Sequence, residues 1–230
     1  MYNQAIILAG GMGTRLNSVV ADKPKPMADI NGKPFLYYLL QYAKTQGISH
    51  VVLAVGYLHQ QIIDYFGHDF NGITLQYSIE NDPLGTGGAI AQALDLYDAL
   101  TPVFIINGDT FFNTSLPELA KTFNQKQADL CIALKEMSNF DRYGTVQFDH
   151  NQQITAFNEK QHCQHGYINA GIYLMKPNLL KTLNLPTIFS FEKEILEQIN
   201  LFKTFTYPSD AYFIDIGIPD DYLKAQREIK

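Results

Sequence analysis

Three glycines and a cation follow one another in Leu8-Ala9-Gly10-Gly11-Met12-Gly13-Thr14-Arg15-Leu16, directly after a short apolar run. Glycines let backbone N–H groups approach and wrap an anion, and the Arg15 guanidinium adds a fork of donors suited to phosphate oxygens. At the end of a first strand, where open α/β sheets place their ligand crevice, the segment reads as a phosphate cradle, with a tight strand-to-loop turn as the plainer alternative. Beyond it, Lys25 stands in Lys23-Pro24-Lys25-Pro26-Met27. Prolines on both sides forbid helix there and stiffen an extended loop, so the ammonium is expected in a restricted position as a phosphate ligand; a solvated surface lysine is the alternative.

Two aspartates offer the matching chemistry. Asp109, in Asn107-Gly108-Asp109, follows the apolar run 103–106, and Asp215 follows the apolar run 212–214 and precedes Gly217. Hard oxygen ligands supplied singly by two strand ends, completed by water and phosphate oxygens, are a usual way to hold Mg²⁺ beside a nucleotide. Either residue can instead cap a turn. Other constellations fail. A dinucleotide fingerprint requires glycine where Leu16 stands, and a Walker A Gly-Lys-Ser/Thr occurs nowhere. His162-Cys163-Gln164-His165 lacks the fourth ligand and CxxC partner of a closed zinc site. No Gly-x-Ser-x-Gly elbow or activated cysteine suggests a nucleophile.

The elements that position these groups follow from periodicity. Strands are expected at 5–8, 51–55, 74–79 and 103–106, separated by helical patterns at 34–46, 59–66 and 87–100, the alternation of parallel strands with crossover helices. The run 103–106 is almost wholly apolar, as in a strand buried on both faces. After about residue 127 the rhythm turns strand-rich, at 130–135, 144–148 and 171–175, with a late helix at 191–199. No linker, repeat or long charge run divides the chain. One α/β domain over 1–230 is expected, a mostly parallel mixed sheet flanked by helices, its site completed by the second part. A split near Gln127 is the alternative.

Composition narrows the class further. The chain has 230 residues, 46% apolar and 17% charged, enough to bury a core without disulfide or metal support. With 17 Lys and Arg against 23 Asp and Glu, its net charge of −6 argues against a nucleic-acid or anionic-membrane surface. Two cysteines, Cys131 and Cys163, and the absence of a secretion signal suit a reducing, cytoplasmic setting. No apolar run approaches a membrane span.

The glycine loop followed by Lys-Pro-Lys-Pro-Met resembles the signature of the sugar-1-phosphate nucleotidyltransferases. Leu84-Gly85-Thr86-Gly87-Gly88-Ala89-Ile90, Asn107-Gly108-Asp109, Glu159-Lys160, Asn169-Ala170-Gly171 and Asp215-Ile216-Gly217 match in the same order, over nearly the whole chain. The resemblance implies a Rossmann-like, GT-A-like fold, with a nucleotide-binding part over about 1–127 and a sugar-phosphate-binding part over about 128–230. Leu8, Ala9, Gly10, Gly11, Gly13, Thr14, Arg15, Lys25, Glu80, Gly85, Thr86, Gly87, Asn107 and Asp109 fall to the nucleotide. Arg15, Lys25 and Asp109 fall to catalysis, and Asp109 and Asp215 to Mg²⁺. Gly108, Tyr143, Gly144, Glu159, Lys160, Asn169 and Gly171 fall to the sugar phosphate. Gln161 stands where the family often has proline, which alters that loop.

Glu80 lies in the family's base-reading segment. A carboxylate can accept from both N1–H and N2–H₂ of guanine, which tilts the reading to GTP, although Glu80 as a solvated strand end or backbone near Gly85 as the reader stay open. Within the family, the length, Gly-Thr-Gly-Gly-Ala-Ile and Asn-Gly-Asp most resemble the branch that joins GTP to a manno-heptose 1-phosphate in surface polysaccharide synthesis. Mannose 1-phosphate is the competing sugar, and a homo-oligomer is open. A catalytically silent sugar-nucleotide sensor could dispense with Arg15, Lys25 or a metal aspartate, yet all are present, and a nicotinamide dehydrogenase lacks its third glycine.

Overall fold

A computed structural model describes residues 2–11, 23–198 and 201–229. Gly13, Thr14 and Arg15 lie outside the described residues. In chain order the elements are β1 (Gln4–Leu8), a 3₁₀ turn (Lys25–Met27), β2 (Asp29–Ile30), β3 (Lys33–Pro34), α1 (Phe35–Thr45), β4 (His50–Val55), α2 (His59–Phe66), β5 (Asp69–Phe70), β6 (Ile73–Ile79), α3 (Gly85–Leu94), β7 (Val103–Asn107) and β8 (Thr110–Phe112). There follow α4 (Leu116–Gln125), β9 (Leu130–Phe140), β10 (Thr145–Phe148), β11 (Ile154–Asn158), β12 (Cys163–Met175), α5 (Asn178–Lys181), a π-helical turn (Glu192–Leu196), β13 (Thr204–Ser209), β14 (Phe213–Asp215) and α6 (Pro219–Glu228).

The strands β7, β1, β4 and β6 lie side by side and parallel, as the βα alternation requires. The sheet then continues antiparallel through β12, β10 and β11, and β9 pairs with both β12 and β13. This is the mostly parallel mixed sheet expected. Helices cover both faces. On one side α1 buries Phe35, Leu36, Leu39, Leu40 and Ala43, a helical stripe, against Ile7, Leu53 and Ile106. On the other, α3 buries Ile90 and Ala93 against Ile6, Val52 and Ile105. Residues 103–106 of β7 are buried on both faces, because neighbouring residues face opposite cores. Among the described residues, no helix is long and apolar enough to cross a membrane.

Several boundaries differ from the sequence expectation, for local reasons. The helix expected at 87–100 starts at Gly85 and ends at Leu94; beyond it Asp98 accepts from the Leu100 and Thr101 amides, at 2.8 Å each, and holds a turn. The prolines around Lys25 do not enforce an extended loop: Pro24 and Pro26 take N-cap and first-turn positions of the 3₁₀ turn, where no intrahelical N–H is required. The helix expected from 191 is a π-helical turn, Glu192–Leu196. β9 and β12 run well beyond 130–135 and 171–175, because their far halves pair with each other in a polar arm that shows no core alternation. Helix α4 was missed, although Ser115 and Glu118 carry a capping signal, with the Ser115 hydroxyl accepting the Glu118 amide.

A strap formed by residues 187–191 crosses the start of α3. The Phe189 carbonyl accepts from the Gly87 amide at 3.0 Å, and the Phe189 amide donates to Leu84 O. Only glycine permits this approach: a Cβ on Gly87 would lie 2.1 Å from the Phe189 ring, and one on Gly85, which has φ +72°, would lie 2.5 Å from its carbonyl oxygen. Gly87→Ala is therefore expected to destabilise the fold by about 1–3 kcal/mol through overpacking, read as a fall in Tm; an unchanged Tm would show that the strap is not held there.

Candidate active site

The parallel strands end together, and a cavity of about 620 Å³ opens at their carboxyl edge. Leu8, Gly10 and Gly11 reach it from β1, Gly56 and Tyr57 from β4, Glu80 from β6, and Asn107, Gly108 and Asp109 from β7. Gly85 and Thr86, opening α3, form another wall, and Lys25 faces them from the 3₁₀ turn. Ala54, Pro83 and Ala89 give it an apolar lining. The size and lining suit a small organic ligand. A second cavity, about 570 Å³, is lined by Tyr143, Gly144, Glu159, Lys160 and Asn169, together with Asn158, Glu192 and Glu197.

Asp109 lines the first cavity, and Asp215 lies beside it, close enough to the second for its charge to act on Tyr143. The ribbon β8–β14 sets Asp215 opposite Thr110, and the Ile216 amide donates to the Asp109 carbonyl at 3.0 Å, so the two aspartates are neighbours. Lys25 Nζ donates to Asp109 Oδ2 at 2.6 Å; the lysine side chain is only 13% exposed and that of Asp109 is 40% exposed, so solvent reaches this ion pair from the carboxylate side only. Asp215 Oδ1 accepts the Gly217 amide at 2.7 Å, while Oδ2 has no hydrogen-bond partner among the described residues. Burial raises the Asp215 carboxyl above the ordinary range and the charge of Asp109 adds to the rise, with Lys25 opposing it. On the side of the second cavity, Tyr143 is pushed up to about 12, first by burial and then by the charge of Asp215.

Two hard carboxylates with mutual repulsion and an unpartnered oxygen fit a divalent cation, which would relieve that repulsion. Among the described residues no group of three metal-ligating side chains gathers, so its remaining ligands would come from substrate and water. The purine-reading candidate is also half-committed: Glu80 Oε2 accepts the Leu84 amide at 3.0 Å, and burial raises its carboxyl above the ordinary range with that bond opposing. Asn107 Oδ1 is buried without a partner among the described residues, a polar atom left over at the first cavity. Asn169 is oriented from both ends, accepting from the Gly171 amide at 3.0 Å and donating to Tyr173 Oη at 2.8 Å.

Not every expected residue lines a cavity. Ala9, Gly87, Gly171 and Asp215 line neither, and Gly87 already has its amide on the Phe189 carbonyl. Gly108, expected on the sugar side, lines the first cavity, with its amide on the Leu8 carbonyl; Gly171 lies against the Asn107 side-chain amide. Sequence reasoning missed Tyr57, His59 and Glu192. Tyr57, directly after the apolar run 51–55 and Gly56, could have been found as an exposed aromatic at a strand's carboxyl end.

The fold and this strand-end site define a nucleotide-handling transferase of the α/β class, and the chain belongs to the nucleotidyl transferase family, whose pattern matches residues 4–230. It is similar to a D-glycero-α-D-manno-heptose 1-phosphate guanylyltransferase of Aneurinibacillus thermoaerophilus, 48% identical over 228 residues that cover 99% of this chain and 98% of that one. A protein of the same name from Campylobacter jejuni is 46% identical, over 95% of this chain and 96% of its own. Among solved structures, HddC of Yersinia pseudotuberculosis complexed with GMP-PN superposes with a TM-score of 0.89 at 38% identity, over the whole of both chains.

The raised Asp215 carboxyl carries a testable sign. An acid whose pKa rises on folding costs stability once ionised; the cost is absent below the unfolded value of about 4 and complete above the raised folded value. Asp215→Asn in chelator is therefore expected to melt above the parent at pH 7, with the gap closing as pH falls toward 4. A variant that melts lower at pH 7 would contradict the unfavourable charge.

Proposed function

We propose that the chain joins GTP to D-glycero-α-D-manno-heptose 1-phosphate, releasing pyrophosphate and forming the GDP-heptose. The observation that carries the reading is the Lys25–Asp109 ion pair in the first cavity, with Asp215 beside it and a second, polar cavity linked to the first through the Thr86–Glu192 hydrogen bond, and the near-full-length likeness to heptose 1-phosphate guanylyltransferases supports the choice of substrates. The first cavity draws its lining from residues 8–109 and the second from 143–197, which supports a nucleotide part and a sugar-phosphate part on either side of about residue 127.

On this reading the base enters the first cavity. Glu80 accepts from its Watson–Crick edge, Tyr57 offers a ring for stacking, and Asn107 Oδ1 accepts a ribose hydroxyl. Gly10, Gly11 and Gly13 bring backbone to the phosphates. The sugar lies in the second cavity, with Lys160 on its phosphate and Glu159, Asn169 and Tyr143 on its hydroxyls. An oxygen of the sugar phosphate attacks the α-phosphorus of GTP in line, the bond to the β-phosphate oxygen breaks, and pyrophosphate leaves. No general base is required, because the attacking oxygen is already ionised at neutral pH; catalysis is positioning and charge stabilisation. Lys25, fixed by Asp109, faces the charge that develops at the α-phosphate, and Arg15 is assigned to the departing pyrophosphate. Mg²⁺ held by Asp109 and Asp215 would supply further neutralisation of phosphate charge.

Pyrophosphate release with Mg²⁺ is the test, crossing GTP, UTP, dTTP, CTP and ATP with heptose, mannose, glucose and N-acetylglucosamine 1-phosphates. Release confined to GTP with heptose 1-phosphate is expected; preference for mannose 1-phosphate or UTP would overturn sugar or base, and silence with tight GDP-sugar binding would point to a sensor. Lys25→Ala is expected to lower kcat by about 10²–10³-fold with KM little changed, and near-normal turnover would remove Lys25 from catalysis. Because protonated Glu80 loses an acceptor, the KM for GTP should rise on acidification from a higher pH than an ordinary carboxylate would give, and Glu80→Gln should flatten that dependence.

A further inference from the structure

Glu192 was not among the residues expected from the sequence, yet its surroundings are unusually determined. It opens the π-helical turn, is half-buried, and lines the second cavity beside Asn169 and Tyr143. Its Oε2 accepts two hydroxyl hydrogen bonds at once, from Thr86 Oγ1 at 2.7 Å and from Ser190 Oγ at 2.9 Å. Each hydroxyl is itself anchored by a backbone donor: Thr86 Oγ1 accepts the Phe191 amide at 2.9 Å, and Ser190 Oγ accepts the Lys193 amide at 3.3 Å. Glu192 Oε1 makes no hydrogen bond among the described residues.

This arrangement fixes one oxygen of a carboxylate and leaves the other as a preset acceptor. A flexible side chain immobilised before its ligand arrives loses less entropy on binding, which is the advantage of a preorganised recognition group. The second cavity has use for such an acceptor. Lys160 only donates, and Asn169 keeps one N–H and one lone pair after its bonds to Tyr173 and Gly171; Glu159 and Glu197 can accept as well, but both are exposed and no hydrogen bond among the described residues holds either carboxylate in place, whereas Glu192 is aimed in advance. A polyhydroxylated ring presents donors as well as acceptors, and a carboxylate is the strongest partner for a hydroxyl proton.

Thr86 changes meaning in this light. It lines the nucleotide cavity, but its proton is directed to Glu192 and its oxygen already receives the Phe191 amide. A hydroxyl so occupied has no proton to give a phosphate. We infer that Glu192 recognises the sugar, its Oε1 accepting a ring hydroxyl of the sugar 1-phosphate, and that Thr86 and Ser190 are positioning residues that act through it. The inference rests on the proposed heptose 1-phosphate reaction and assigns to α3, a wall of the nucleotide cavity, the task of aiming a group in the sugar cavity.

The test is the split between the two Michaelis constants, measured by pyrophosphate release. Glu192→Gln keeps the shape and replaces one acceptor by a donor; the KM for heptose 1-phosphate should rise about tenfold to hundredfold while that for GTP stays within about twofold. Thr86→Val should raise the sugar KM about fivefold with the GTP KM unmoved, and Thr86→Ser should restore it. With monodeoxy heptose 1-phosphates, the parent enzyme should lose about tenfold or more in kcat/KM on one analogue, and Glu192→Gln should treat that analogue and the full sugar alike. A rise in the GTP KM of Thr86→Val with no change for the sugar would overturn the inference, as would a Glu192→Gln penalty equal on every analogue. Melting curves identify a variant that fails to fold, and the Thr86 pair then decides alone. If the parent enzyme releases no pyrophosphate from GTP and any sugar 1-phosphate, the proposed function fails and carries this inference with it.

Discussion

Everything at the candidate site depends on holding two carboxylates side by side in a place where water only partly reaches them. Backbone geometry does this: the short ribbon β8–β14 fixes Asp215 across from Thr110, and the Ile216 amide is tied to the Asp109 carbonyl. The repulsion is then managed from three directions, by Lys25 on Asp109, by the Gly217 amide on Asp215, and by a proton affinity of Asp215 raised through burial and its neighbour's charge. A site strained in this way is stabilised by cations and destabilised by their removal, the sign expected where phosphate and divalent metal are to be handled together.

Around that pair, the two cavities differ in chemistry. The first combines apolar surface from Ala54, Pro83 and Ala89 with a few polar atoms at strand ends, suited to a flat heterocycle with a polar edge. The second is lined by acids, an amide and a lysine, suited to hydroxyls and a phosphate. They are not independent, because the strap that crosses α3 joins Thr86 of one to Glu192 of the other.

Much of this was legible in the sequence, and the reasons are physical. The run 103–106 announced a doubly covered strand, so Asp109 could be placed at a carboxyl edge; the helical stripe of α1 was visible in the spacing of Phe35, Leu36, Leu39 and Leu40. Lys25 was singled out by its prolines even though they build a 3₁₀ turn instead of an extended loop. What stayed hidden depended on tertiary contact. Gly87 has the type of a phosphate-binding glycine, but the pressure for glycine comes from Phe189, about a hundred residues later in the chain. Nothing in the sequence marks Glu192 out from Glu194 or Glu197; what separates it is the pair of hydroxyl hydrogen bonds from Thr86 and Ser190. The polar arm of β9 and β12 carried no alternation to read.

The place of β12 in the sheet bears on how the chain comes to be folded during synthesis. β12, formed by residues 163–175, pairs along β7, which occupies the middle of the sheet, and β14 pairs with β8 still later in the sequence. As the chain leaves the ribosome, β7 therefore waits with one edge unpaired until some sixty further residues have emerged, and Asp109 waits longer still for Asp215. The first cavity's strands are written first but cannot be finished first. An apolar, unpaired edge of this kind is the part of the nascent chain most exposed to wrong pairing, and it is closed only by the strand that also lines the second cavity.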